Sequence, residues 1–165
     1  MKRLLLYIHF NKYDHISRHV FYQLEHMRPL FDKLVFISNS RLSESEVQKL
    51  HDKHLIDDFI QRENKGYDFA AWHDGMEFVG FENLKQYDSV TVMNDTCFGP
   101  LWDMAPIYDN YESNPNIDFW GMTNHQGIKA GDIYIHEHLQ SYFISFKKRL
   151  VESSVFQKFW KSVES

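Results

Sequence analysis

The sequence predicts an α/β fold: a central, mostly parallel sheet flanked by helices, in a single domain over residues 1–165. Three observations predict it. Short apolar runs of strand length alternate with segments of helical period as far as about residue 113, the order that sets parallel strands side by side through right-handed crossovers. The length, 165 residues, fits one domain better than two. The composition is 43% hydrophobic and 25% charged, and 14 Phe, 9 Tyr and 4 Trp supply ample surface to bury.

The elements follow in order. Leu4 to Phe10 is a first strand. Asp14 is placed to cap a helix with apolar positions Ile16, Val20, Leu24 and Met27, which Pro29 limits. Leu34 to Ile37 is a second strand, ending in Ser38-Asn39-Ser40. Ser43 and Glu46 have the form of a capping box ahead of Val47 and Leu50. Asp58 to Gln61 is a third strand, and helical period returns in Phe69, Trp72, His73, Met76 and Val79. Ser89 to Met93, rich in β-branched residues, is a fourth strand. Pro100 suits the first turn of a helix carrying Leu101, Ala105, Tyr108 and Tyr111. Beyond residue 113 the pattern weakens. Asp118 to Met122 and Leu139 to Phe146 read as strands, and Ser154 starts a helix with Phe156, Phe159, Trp160 and Val163 on one face. That helical pattern still runs at Ser165, as expected of a piece of a longer chain.

Charge and cysteine content exclude several classes. The net charge is −5, from 18 basic and 23 acidic residues, without the basic stripe of a nucleic-acid binder, so no nucleic-acid partner is expected. The ten histidines are scattered. One cysteine excludes an internal disulfide scaffold and a Cys-based zinc site. No apolar run approaches a membrane span. Met1 to Leu6 imitates a signal peptide, but the apolar stretch fails at His9, Asn11 and Lys12 without a small-residue cleavage site, and a cytoplasmic location is expected.

In an open parallel sheet ligands bind outside the carboxyl ends of the strands. The first two strands are followed by His9 and Asn11, and by Ser38 and Asn39: polar groups able to bind a nucleobase or ribose, and equally ordinary turn residues. After the third come Asn64, Gly66 and Asp68, where Gly66 permits positive φ or close backbone approach and Asn64 or Asp68 can cap the next helix. Neither G-x-G-x-x-G nor G-x-x-x-x-G-K-[ST] is present. After the fourth come Asn94, Asp95 and Thr96. A carboxylate there can hold Mg²⁺ or Mn²⁺ against a diphosphate, or simply cap a turn running into Gly99-Pro100. His136, Glu137 and His138 precede an apolar strand and could supply a metal site, a general base, or only the polar face of an edge strand.

Four motifs in order carry a resemblance: Asn64-x-Gly66-x-Asp68-x-Ala70-Ala71-Trp72, Asn94-Asp95-Thr96-x-x-Gly99-Pro100, Phe119-Trp120-Gly121-Met122-Thr123, and His138-Leu139-Gln140-Ser141-Tyr142-Phe143. Together they resemble the rhamnan synthesis protein F family over roughly residues 3 to 163. That family is associated with assembly of rhamnose-containing cell-surface polysaccharides and is similar to GT-A glycosyltransferases. The resemblance therefore implies a GT-A-like, Rossmann-like domain that transfers a sugar, rhamnose being the one the family suggests, from a nucleotide-sugar donor to a growing oligo- or polysaccharide acceptor. Peripheral association with membrane-bound assembly enzymes is implied as well.

It also implies that Asn94-Asp95-Thr96 stands where those enzymes carry a metal-binding D-x-D, with one of the two acids kept. Asp95 is then the Mg²⁺ or Mn²⁺ ligand. His9, Asn11, Ser38, Asn39, Asn64, Gly66, Asp68, Asn94 and Gln140 form the donor-binding set. His138, Glu137 and Asp132 are the candidates for removing the proton from the acceptor hydroxyl. The alternative is a noncatalytic carbohydrate- or nucleotide-sugar-binding domain that works beside other polysaccharide enzymes. It would use Trp72, Trp102 and Trp120 to stack on sugar faces, unless these pack the core.

Overall fold

The computed structural model describes residues 1–164. The chain runs β1 (Arg3–His9), α1 (Arg18–Met27), β2 (Lys33–Ser38), α2 (Glu44–Asp52), β3 (Asp58–Gln61), α3 (Tyr67–Val79), α4 (Phe81–Leu84), β4 (Ser89–Asn94) and α5 (Ala105–Ser113). Then follow β5 (Phe119–Gly121), β6 (Asn124–His125), β7 (Ile128–Ala130), β8 (Ile133–Ile135), β9 (His138–Leu139), β10 (Phe143–Lys147), α6 (Lys148–Val151) and α7 (Ser154–Lys161).

The central sheet has the order β3-β2-β1-β4-β10-β5. The first four strands pair in parallel, while β10 runs antiparallel to both β4 and β5. Five of the six strands therefore point one way, and the sheet is mixed. β1 is buried on both faces, and its alternate side chains enter opposite cores. Leu5 and Tyr7 join Val20, Leu24, Leu34, Phe36 and Tyr108 on one side. Leu4, Leu6 and Ile8 join Val35, Trp72, Met76, Val90 and Trp160 on the other. α3 packs so closely that a Cβ on Gly75 would lie 2.5 Å from Ile37 Cδ1.

Several expectations need correction. Asp14 does not cap α1: it sits at φ 54°, its carboxylate accepts from Arg41 N, and Ser17 is the N-cap. Ser43 does cap α2 by accepting from Glu46 N, but Glu46 accepts from Ile16 N at 2.8 Å and so ties α2 to the lead-in of α1. Pro100 starts no helix. It lies in an irregular loop, Leu101 is exposed, and α5 begins at Ala105, where Asp103 accepts the Ala105 N–H and Pro106 occupies the first turn. Leu139 to Phe146 is two strands, because Gln140 and Ser141 interrupt the pairing before Phe143 meets Met93. Trp72 and Trp120 are core residues and unavailable for stacking on sugar, whereas Trp102 is 67% exposed. No helix of the described residues is long and apolar enough to cross a membrane.

Candidate active site

Parallel strands bring His9, Ser38, Gln61 and Asn94 to one edge of the sheet, where each chain leaves β pairing and turns. His9 and Ser38 are fully buried. His9 Nδ1 lies 3.0 Å from Ser38 Oγ and Nε2 lies 3.2 Å from the His15 carbonyl, so the ring locks the first two loops together. Burial lowers its pKa from 6.5 to about 4. In this arrangement both residues hold the loops rather than face a ligand. Asn11 is likewise engaged: its amide donates to Ser17 Oγ at 3.0 Å and its Oδ1 accepts from Tyr13 N at 2.8 Å.

Asn94 ends β4 and is buried, and Asp95, directly after it, is half-buried. Asn94 Nδ2 donates to Asp68 Oδ2 at 2.7 Å, which brings the first turn of α3 to the end of β4. Asp68 thus makes no side-chain cap; the N-cap of α3 is Gly66, at φ 69°, and Tyr67 follows at φ 54°. Asp95 Oδ2 accepts from Phe10 N at 3.0 Å. Burial raises the pKa of Asp95, the Phe10 N–H opposes that, and the Asp68 carboxylate adds to it. Two carboxylates from different elements therefore share one field, beside the exposed Thr96. Such an all-oxygen set suits Mg²⁺ or Mn²⁺ and would be relieved of repulsion by either.

Two depressions open along the same edge of the sheet, neither lined by Asp95 or Asp68. One is a polar hollow of about 900 Å³ whose lining includes Asn39, Arg41, Gln61, Arg62, Asn64 and Lys65. Arg62 is its anchor, donating to Asn39 Oδ1 and to Asp74 Oδ2, both at 2.8 Å. The sequence reading passed over Arg62, although a cation directly after the third strand was visible there. The other is an apolar cleft of about 360 Å³, between Met27 on α1, Met93 on β4, Cys97, Trp102 and Met104 after it, and Tyr142 before β10.

The remaining predicted residues lie on the excursion between β5 and β10. It leaves the same edge of the sheet: Asn94 N donates to the Tyr142 carbonyl at 3.1 Å. β6 and β9 form one small ribbon, with His138 stacked on His125 at 5.1 Å, and β7 and β8 form a second. Gln140 is engaged by the Thr123 hydroxyl, Glu137 by the Asn124 amide, and His138 Nδ1 by the His136 carbonyl at 2.8 Å. Asp132 sits in the two-residue turn joining β7 to β8. His138, Glu137 and Asp132 are all exposed, and none is in hydrogen-bond contact with Asp95.

Comparison with known proteins sets this geometry in context. The chain is 30% identical over 145 residues to the protein y4gN of Sinorhizobium fredii, covering 87% of this chain and 36% of that one. In fold it is similar to a mannosyltransferase of Pyrobaculum calidifontis solved with GDP-Man and Mn²⁺ (TM-score 0.60, 11% identity, 92% of this chain and 46% of that one). It is also similar to a 4-diphosphocytidyl-2C-methyl-D-erythritol synthase (TM-score 0.57, 10% identity, 99% and 80% covered). The sheet and its flanking helices are thus GT-A-like. A match that runs from β2 through α7, over residues 34–165, makes this chain a member of the rhamnan synthesis protein F family.

Proposed function

We propose that this domain transfers a sugar from a nucleotide-sugar donor to a growing cell-surface polysaccharide, with rhamnose the sugar the family name suggests. The observation that carries the reading is the placing of two carboxylates at the carboxyl edge of the sheet: Asp95 accepts from Phe10 N, and Asp68, bound by the adjacent Asn94 amide, adds to burial in raising the pKa of Asp95. The two carboxylates would hold Mg²⁺ or Mn²⁺, which when bound neutralises charge on a leaving diphosphate. The likeness in fold to a mannosyltransferase solved with GDP-Man and Mn²⁺ supports that choice of donor and cation. The polar hollow with Arg62, Asn39 and Asn64 then takes the nucleotide, and the apolar cleft by Trp102 receives the acceptor.

His138 is the preferred base. The His136 carbonyl can only accept, so Nδ1 carries the hydrogen and Nε2 of the neutral ring keeps its lone pair for a hydroxyl proton. Glu137 and Asp132 are the other candidates. We place the enzyme in the cytoplasm, in peripheral association with membrane-bound assembly partners.

A thermal-shift panel of nucleotide sugars with and without Mn²⁺ tests the reading. A ligand at about 100 times its Kd stabilises by about 2.7 kcal/mol, so a true donor raises the midpoint by several degrees, and more so with Mn²⁺. Donor hydrolysis without acceptor separates an enzyme from a noncatalytic binding domain. Absence of any shift across the panel would overturn both readings.

A further inference from the structure

β pairing ends at Asn94, and from Asp95 to Asp103 the chain has no strand or helix of its own. Its course is set instead by one face of α1. His19 Nε2 lies 2.9 Å from the Asp95 carbonyl, the Tyr22 hydroxyl donates to the Pro100 carbonyl at 3.0 Å, and the Gln23 amide donates to the Cys97 carbonyl. The three side chains are spaced i, i+3 and i+4, one helical face. Each contact is to main chain. A carbonyl only accepts, so His19 carries its hydrogen on Nε2. The His19 ring also packs against Phe98, with centroids 4.7 Å apart.

Gln23 is the least expected member. It is 1% exposed, at a position where Leu or Met would pack as well. A buried amide is tolerated when both its ends are paired, and here Oε1 takes the Tyr7 hydroxyl while Nε2 grips the loop. The chain from Tyr7 through Gln23 to Cys97 O therefore couples the floor of the sheet to the Asp95 loop.

We propose that His19 and Gln23 are positioning residues that aim the Asp95 carboxylate at a divalent cation. Asp95 is held at both ends, by Phe10 N on its carboxylate and by His19 on its carbonyl, and Gln23 fixes the chain two residues on. This rests on the reading of Asp95 as a cation ligand. Groups that orient a metal ligand act on affinity without touching the metal, and their loss typically weakens binding 10- to 100-fold.

The test is Mn²⁺ binding to the whole chain without nucleotide, followed by the electron paramagnetic resonance signal of free Mn²⁺, with circular dichroism to verify the fold. His19→Phe keeps the stacking on Phe98 but loses the donor, and is expected to bind Mn²⁺ about tenfold more weakly. His19→Gln restores an N–H near Nε2 and is expected to recover most of the affinity. Tyr7→Phe costs stability by unpairing Gln23 Oε1 but leaves Nε2 on Cys97 O, and is expected to bind Mn²⁺ as the wild type does. Adding Gln23→Met to Tyr7→Phe releases the loop without orphaning the Tyr7 hydroxyl, and is expected to cost about tenfold. If Asp95→Asn abolishes Mn²⁺ binding while the folded His19→Phe and double variants keep wild-type affinity, the positioning role is overturned and the cation reading stands. If the wild type binds no Mn²⁺, or Asp95→Asn binds as well as the wild type, the cation reading fails and this inference with it.

Discussion

His9 is fully buried, and its removal from water disfavours the charged ring more than the His15 carbonyl at Nε2 favours it. Folded, it stays neutral to about pH 4; unfolded, it takes a proton near 6.5. Below pH 6.5 the unfolded chain binds a proton that the native chain refuses. Stability therefore falls as pH drops through 6.5 and levels off below about 4, by about 3 kcal/mol in all. Urea midpoints at pH 7.5 and 5 should differ accordingly, and His9→Gln should flatten the dependence. At Asp95 the expectation concerns binding. Asn can accept from Phe10 N as Asp does, so Asp95→Asn should keep the fold while weakening Mn²⁺-dependent binding of a nucleoside diphosphate by tenfold or more, about 1.4 kcal/mol, in calorimetric titration. Gly66 sits at φ 69°, which costs a residue with a Cβ about 1–2 kcal/mol. Gly66→Val should lower the melting midpoint and donor affinity together. At this scale the sequence was a partial guide. A glycine after a strand and a carboxylate after a buried strand are legible because backbone conformation and strand ends constrain residue type locally. The burial of His9 and the meeting of Asp68 with Asn94 depend on contacts 29 and 26 residues apart, which no spacing rule records.

Among the elements, the strands from β1 to β4 and the helices between them were readable because apolar period and burial agree there. The loop after β4 was not. Pro100 and Pro106 are equally good helix starters by composition, and the choice between them is made by Asp103 and by the grip of α1, both outside the local pattern. Of the excursion between β5 and β10 only the two ends, up to Met122 and from Leu139, read as strand, because the apolar residues between them form no long run. They belong instead to a ribbon that faces water: Ile128, Ile133 and Ile135 are 48%, 67% and 44% exposed. A ribbon that packs on so little contributes little to stability. Replacing residues 127–136 by a short Gly-Ser turn should leave the thermal midpoint nearly unchanged. If Asp132 is the base, Asp132→Asn should abolish transfer while leaving donor hydrolysis measurable.

For the whole molecule, the proposed site and a buried ion pair sit at opposite edges of one sheet. The amino-terminal edge is held by a buried ion pair: Arg3 of β1 donates to both carboxylate oxygens of Glu112 on α5, at 2.9 and 2.6 Å, and Ser89 of β4 donates to the same group at 3.0 Å. Three elements meet on one carboxylate that is almost fully enclosed. Glu112→Ala should leave Arg3 with only the exposed Asp109 at 3.5 Å and cost about 3 kcal/mol in chemical denaturation, with ligand affinity of the surviving folded fraction unchanged.

The pairing of Ile144 with Gly121 has a consequence for how such a protein can change. It clasps the two ends of the excursion side by side within the sheet, so whatever lies between residues 122 and 142 is a closed appendage whose length the sheet never registers. Doubling a flexible segment held at both ends adds only about 0.6 kcal/mol of closure entropy. The strands that present Asp95 and the hollow by Arg62 can stay fixed while the appendage is lengthened, shortened or exchanged. Related chains are then free to exchange one cassette, with the strand edge that carries Asp95 inherited intact.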